Sequence, residues 1–203
     1  MISISSDGDN LAIDFTTGAV DHRRRFGGGR GQALPRAIGM KTGPAPHVVD
    51  ATAGLGRDAF LLASLGASVT LIERSDHMHA LLSDAIIRAQ TAGGDIAEIA
   101  ARMTLLFGDA RDLLPGLKPQ VVLVDPMHPP RKSSALVKQE MRQLRGIVGT
   151  DPDAAELMKT ALHCATKRVV LKWPLRGAPI ASIRAPSHQI LGKSTRYDVF
   201  MQL

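Results

Sequence analysis

The sequence predicts an α/β fold: a mostly parallel sheet, covered by helices on both faces and finished by a C-terminal antiparallel hairpin. Three observations carry that prediction. Short runs rich in Val, Ile and Leu recur along the chain, helical periodicity fills most gaps between them, and the last two runs flank a tight polar turn. Strands that alternate with helices pair in parallel and bury both faces.

The elements follow in order. Residues 1–20 alternate weakly (Ile2, Ile4, then Leu11, Ile13, Phe15) around "SSDGDN" and read as a short hairpin. "HRRRFGGGRGQ", residues 22–32, has no periodicity and reads as a loop leading into a short helix near Gln32–Ile38. "HVVDATAG" is a strand entering a glycine loop, and "RDAFLLASLG" is a helix closed by Gly66. "SVTLIER" is the second strand, followed by "DHMHALLSDAIIRAQTAG", an amphipathic helix stopped by Gly93–Gly94. "MTLLFGDA" and "QVVLVDP" are the third and fourth strands. "SSALVKQEMRQLRGIVG" is a helix capped by Ser133 or Ser134, and "DPDAAELMKTALHCA" is another, with Asp151 as N-cap and Pro152 at the first helical position. "KRVVLKW" is the fifth strand, and "SHQILGKSTRYDVFMQL" forms two strands around a Gly192–Ser194 turn. The chain divides into an N-terminal segment, residues 1–45, carrying the Arg/Gly-rich stretch, and the sheet domain, residues 46–203.

At 203 residues and 44% hydrophobic, the composition is that of one soluble domain with a real core. No apolar run approaches the roughly 18 residues of a membrane helix, and no basic start followed by an apolar core marks an export signal. With one cysteine, a cytoplasmic protein without disulfides and without a membrane is expected. The net charge of +6 is clustered: Arg23, Arg24, Arg25, Arg30 and Arg36; then Arg131, Lys132, Lys138, Arg142 and Arg145; then Lys167, Arg168, Lys172 and Arg176. Such clusters point to a polyanionic partner, and all three are expected on the side of the strand ends as one basic rim. Aromatic residues make up only 3%, which argues against an extended base-stacking platform.

In parallel sheets ligands bind outside the carboxyl ends of the strands. Asp50, Glu73, Asp109 and Asp125 all stand at or just beyond such ends. One acid there is an ordinary helix cap, but four in register suggest a site. Gly54 and Gly56 in "DATAGLGRD" remove side chains where a ligand could approach, and the helix that follows offers free N–H groups. Glu73 is placed to accept from both hydroxyls of a ribose. "GLGRDA" satisfies the G-x-G-x-x-G/A pattern of dinucleotide sites, a weak signal alone. Asp50 leading into the loop is a poor neighbour for a pyrophosphate and a suitable one for the α-amino group and sulfonium of S-adenosyl-L-methionine. Asp109 is placed to meet an adenine amino group.

The fourth strand ends in "DPMHPP". In amino-methylating enzymes a (D/N)-P-P-(Y/F) turn presents a side-chain oxygen and a proline carbonyl to an exocyclic amine, fixing its lone pair toward the methyl group. Asp125-Pro126-Met127-His128 is an imperfect version, with Met at the second proline and His at the stacking aromatic.

At these residues the chain resembles the ribosomal RNA small subunit methyltransferase J family, from about Phe15 onward. The likeness is carried by "HRRRFGGGRGQA", "VVDATAGLGRDAFLLASLG", "ERS", "DPMHPPRKSSALVKQEMR" and "ATKRVVLKWP". The resemblance implies a class I S-adenosylmethionine-dependent methyltransferase (Rossmann-like) fold that methylates the N2 amine of one guanine in 16S rRNA. It implies cofactor contacts from Arg57 and Asp58, Glu73 and Arg74, Asp109 and Ala110, and Asp125. The partner implied is 16S rRNA, in the small ribosomal subunit or an assembly intermediate. The family usually carries a longer N-terminal extension, and its aromatic after Asp-Pro-Met is His128 here. Asp125 and His128 are the expected catalytic contacts.

Other residues invite simpler readings. Cys164 sits on an apolar helix and reads as a structural thiol, which argues against pyrimidine C5 methylation. The seven histidines show no metal spacing; His77 and His79 point to different sides of a helix start, so no metal is expected. The Arg23–Arg30 segment is either an RNA contact or a lid over the cofactor, and Trp173-Pro174 either lines the target site or packs. The competing functions are a same-fold enzyme acting on adenine N6 or on protein, a non-catalytic RNA-binding assembly factor, and, least favoured, a nicotinamide oxidoreductase.

Overall fold

The computed structural model describes residues 4–6, 9–127 and 153–202. Its centre is a seven-stranded sheet formed by β3 (His47–Asp50), β4 (Ser68–Glu73), β5 (Met103–Phe107), β6 (Val121–Val124), β7 (Arg168–Pro174), β8 (His188–Leu191) and β9 (Thr195–Met201). The order across the sheet is β5-β4-β3-β6-β7-β9-β8. The first five are parallel, and β9 pairs antiparallel with both β7 and β8. The expected mostly parallel sheet with a C-terminal antiparallel pair is therefore present. A separate two-stranded hairpin joins β1 (Ile4–Ser6) and β2 (Asp9–Leu11).

Strand alternation divides the core into two layers. On β6, Val121 and Leu123 join one buried cluster, while Val122 and Val124 join the other. The first layer is covered by α2 (Ala33–Ile38), α3 (Arg57–Ser64), α4 (Asp76–Thr91) and α5 (Gly94–Ala100). The second is covered by α6 (Ala110–Leu117) and α7 (Ala154–Cys164). The N-terminal segment packs into the first layer: Phe15, 1% exposed, stacks on Phe60 with ring centroids 4.7 Å apart. Burying a side chain of that size stabilises by about 1.5–3 kcal/mol.

Four elements differ from the sequence reading. Residues 22–26, expected in a loop, belong to α1 (Gly18–Phe26), a polar helix that the 3-10 turn Gly29–Gly31 follows. It lacks an apolar stripe and is fastened by ion pairs: Asp21 with Arg24 and Arg25, and Arg24 with Asp95 at 2.6 Å. Gly93–Gly94 does more than end α4, because α5 begins at Gly94. α6 follows β5 directly, with Asp109 as its N-cap. α7 begins after Asp153, which takes the cap position expected of Asp151. Asp151, Pro152 and the helix expected from Ser133 onward lie outside the described residues.

Candidate functional site

β3 is the switch point of the sheet, with β4 on one side and β6 on the other. At such a point the connections leave in opposite directions and open a crevice at the carboxyl ends. Two clefts lie there and share Thr52, Gly54, Asp125 and Met127.

The first cleft is lined by Glu73, Arg74, Asp109, Ala110 and Asp153 beside the shared residues. Glu73 ends β4 and is 5% exposed, with its oxygens accepting from the Gly54 N–H at 3.0 Å and the Ser75 N–H at 2.8 Å. Burial raises its pKa, and those amides and the Arg74 N–H oppose the rise. Asp109 caps α6 through the Arg111 N–H and is gripped by the Arg111 guanidinium at 2.7 and 3.0 Å, which holds its pKa low. Arg74 and Arg111 both reach Asp153, at 2.7 and 3.2 Å, and tie the start of α7 to the cleft.

The second cleft is lined by Arg23, Asp50, Arg57, Asp58, Pro126 and Lys172 beside the shared residues. Its centre is Lys172, whose Nζ donates to Asp58 at 2.8 Å and to Asp125 at 2.6 Å. Arg23 reaches across from α1 to the other Asp58 oxygen at 2.6 Å. Burial works against the lysine's ammonium form, but Asp125 and Asp58 outweigh it and raise its pKa. Asp58 is held low in turn by Lys172 and Arg23, against its burial. Asp50 is 3% exposed and accepts from the Thr52 N–H at 3.2 Å. Burial, with Asp58 and Asp125 nearby, pushes its carboxyl up to about 7. Thr52 Oγ1 accepts from the Asp125 N–H at 2.7 Å and fixes the start of the turn after β6.

Most of the expected cofactor positions converge here. Asp50, Gly54, Arg57, Asp58, Glu73, Arg74, Asp109, Ala110 and Asp125 line one or both clefts. Gly56 does something else: its φ is +66°, and a Cβ there would stand 2.7 Å from Leu82 Cδ1 and 3.0 Å from Phe15 Cζ, so it is a packing glycine.

Among the described residues the basic clusters do not share one edge of the sheet. Arg168 opens β7 at the far end of the sheet, with its guanidinium on the Ala37 carbonyl, while Lys172 lies at the carboxyl end. Residues four apart on a strand are separated by about 13 Å, so one basic run served two edges. Arg30 binds the Gly43 and Leu65 carbonyls, also on the far side. Among the arginines of α1, Arg25 is the most exposed, with a side chain 57% open. His128, Arg131, Lys132 and Lys138 lie outside the described residues.

Lys172 and Thr52 are the site residues the sequence reading missed, the lysine being counted only in a basic cluster. The signal was available, since a lone charge at the end of an apolar strand is the pattern that marked the acids. Trp173, on the opposite face of β7, packs against the second core layer and donates to the Ala178 carbonyl at 2.8 Å. Cys164 is partly buried, and burial raises its pKa. Among the described residues no group of His, Cys, Asp or Glu is arranged to hold a metal, and no helix is long and apolar enough to cross a membrane.

Residues 3–202 match the family model described as "Putative SAM-dependent methyltransferase". A curated relative from Brucella anthropi, named ribosomal RNA small subunit methyltransferase J, is 67% identical over 97% of this chain and 96% of its own length. A relative of the same name from Pseudomonas paraeruginosa is 52% identical over 94% of this chain and 73% of its own length. A crystal structure of a SAM-dependent methyltransferase from Neisseria gonorrhoeae superposes with a TM-score of 0.78 at 38% identity, covering 98% of this chain and 78% of that one. The chain belongs to the ribosomal RNA small subunit methyltransferase J family, and is an S-adenosylmethionine-dependent methyltransferase of the class I fold.

Proposed function

We propose that this enzyme methylates the exocyclic N2 amine of one guanine in 16S rRNA, in the small ribosomal subunit or an assembly intermediate, and therefore works in the cytoplasm. The observation that supports this most is the position of Asp125, a carboxylate shared by both clefts and followed directly by Pro126. The names of the relatives support the RNA substrate.

The residues present fit the cofactor. Gly54, at φ +51°, leaves open space that a side chain would fill, beside the carboxylate of Glu73. Glu73 holds the ribose, Asp109 and Ala110 the adenine, and Asp50 the α-amino group, with Arg57, Asp58 and Arg74 fixing the walls. S-adenosylmethionine supplies a methyl group on a sulfonium sulfur; as the amine nitrogen bonds that carbon, the carbon–sulfur pair returns to sulfur. Asp125 and the Pro126 carbonyl accept hydrogen bonds from the amine and keep its lone pair on the line of attack, where positioning supplies much of the rate. The methylated nitrogen is far more acidic than a carboxylic acid, so Asp125 takes its proton and passes it to water. His128 stacks on the guanine, and Arg23, Arg24, Arg25, Arg30, Arg131, Lys132 and Lys138 serve the RNA backbone.

The test is to map the methyl group missing from rRNA in a deletion strain and restore it with purified protein. Restoration at a guanine N2 is expected. Methyl transfer to adenine N6 or to protein, or tight RNA binding with no transfer, would replace this reading.

A further inference from the structure

The second cleft contains a side chain whose place in the reaction follows from what it holds. Three carboxylates, Asp50, Asp58 and Asp125, line it, and Lys172 bridges two of them from a strand end. Each comes from a different element: Asp50 from β3, Asp58 from the first turn of α3, and Asp125 from the turn after β6. Arg23 of α1, 2.6 Å from Asp58, and Arg57 at the start of α3 add the other cations. Tyr197 of β9 is buried, and its hydroxyl feels Asp58 and Lys172. These are the charged and titratable groups of the described residues around the lysine.

We propose that Lys172 is a positioning residue for methyl transfer: it keeps Asp125 ionised and aimed at the incoming amine, while Asp58 and Arg23 hold the lysine in place. The inference rests on the reading that Asp125 accepts from the amine. A carboxylate between two others gives up its acceptor role by taking a proton, because like charges at short range favour the neutral form. A protonated Asp125 would turn a donor toward the amine's own donors and lose the alignment. The ammonium at 2.6 Å prevents this. Its bond to Oδ2 also fixes the carboxylate plane. Asp58 is the counterweight, since a lysine bonded to Asp125 alone could follow that side chain out of register.

The experiment is single-turnover methylation of small subunits from a strain deleted for this gene, with S-adenosylmethionine saturating, at pH values from about 5 to 9. The wild type should show no acid limb from Asp125, which stays ionised, and Asp50→Asn in each background removes any limb from the Asp50 carboxyl, which stands at about 7. Lys172→Met and Lys172→Gln should lose about ten-fold or more at the alkaline plateau and gain an acid limb near neutrality. Lys172→Arg should restore the flat profile even at a reduced rate. A purely structural lysine would change rates without creating that limb, and the glutamine and arginine variants keep the test alive if the methionine variant fails to fold. Calorimetry with S-adenosylhomocysteine reports on the fold of each. Flat profiles at wild-type rate in the neutral variants overturn the inference if Asp125→Ala, run beside them, is severely impaired. If Asp125→Ala also transfers at the wild-type rate, the amine-site reading itself has failed.

Discussion

The two clefts hold their acids by different means. In the first, Glu73 is met by the backbone N–H groups of Gly54 and Ser75, which the fold fixes whatever the neighbouring side chains do. In the second, Asp58 and Asp125 are met by the side chains of Lys172 and Arg23, delivered from β7 and α1. A carboxylate held by amides loses little when one neighbour changes. A carboxylate held by a cation is left as an uncompensated charge when that cation is removed, which is costly inside a protein. The first cleft is thus built as a rigid socket, and the second as a charge balance that one substitution upsets.

The largest effect should come from the balanced cleft. Asp125→Ala removes an acceptor that matters most while the amine is being aligned, so single-turnover methyl transfer should fall by about a hundred-fold or more. RNA binding should change far less. Asp125→Asn, whose amide oxygen still accepts, should retain partial activity. Equal losses in rate and RNA affinity would erase the distinction between the clefts.

Next is the socket. Glu73→Ala removes charge-assisted hydrogen bonds worth roughly 1.5–3 kcal/mol, so affinity for S-adenosylhomocysteine should drop about ten- to a hundred-fold by calorimetry. The rate at saturating cofactor should hold. Unchanged affinity would take Glu73 out of the site.

Asp50 sharpens the comparison through pH. Its folded carboxyl stands at about 7 against an ordinary 3.8. The folded state therefore binds the extra proton, and stability should fall as pH rises through that window and level off above it. Asp50→Asn keeps an acceptor for the Thr52 N–H and removes the buried charge. Its melting temperature at pH 8 should rise by about a few degrees, while affinity for S-adenosylhomocysteine falls. A variant no more stable than wild type at pH 8 would mean that Asp50 is compensated.

Gly56→Ala acts on the packing where the start of α3 meets Leu82 and Phe15. The positive φ and the contact with Leu82 should cost about 1–3 kcal/mol in denaturant unfolding. The smallest effect belongs to α1. With Arg23 and Arg24 held by Asp58 and Asp95, and Arg25 sharing Asp21 with Arg24 but the most exposed of the three, replacing Arg23, Arg24 and Arg25 by alanine should lower the salt slope of RNA binding by about one charge rather than three. A drop of three would mean that RNA takes those arginines from their acids.

The same contrast explains what the sequence disclosed. The socket was legible because its acids follow from strand period alone: an apolar run that ends in a carboxylate puts that group at the sheet edge. The lysine bridge was not, because it needs β6, β7 and α3 brought together from residues more than a hundred positions apart. α1 was hidden for a related reason. Its helix has no apolar stripe, and the glycines after it suggested a loop, although Asp21 with Arg24 and Arg25 at helical spacing was the sign to read. Among the described residues the basic clusters divide between two edges, because charge counted along a strand does not tell one edge of the sheet from the other.

Trp173 is the chain's one tryptophan, and it follows Lys172 directly on β7. Its indole lines neither cleft and is fastened to the Ala178 carbonyl, so its emission comes from one well-defined place beside the active centre. The protein therefore carries its own optical probe. A shift of β7 as ligands enter would change the polarity around that ring, and a fluorimeter could follow it in real time on the unlabelled enzyme.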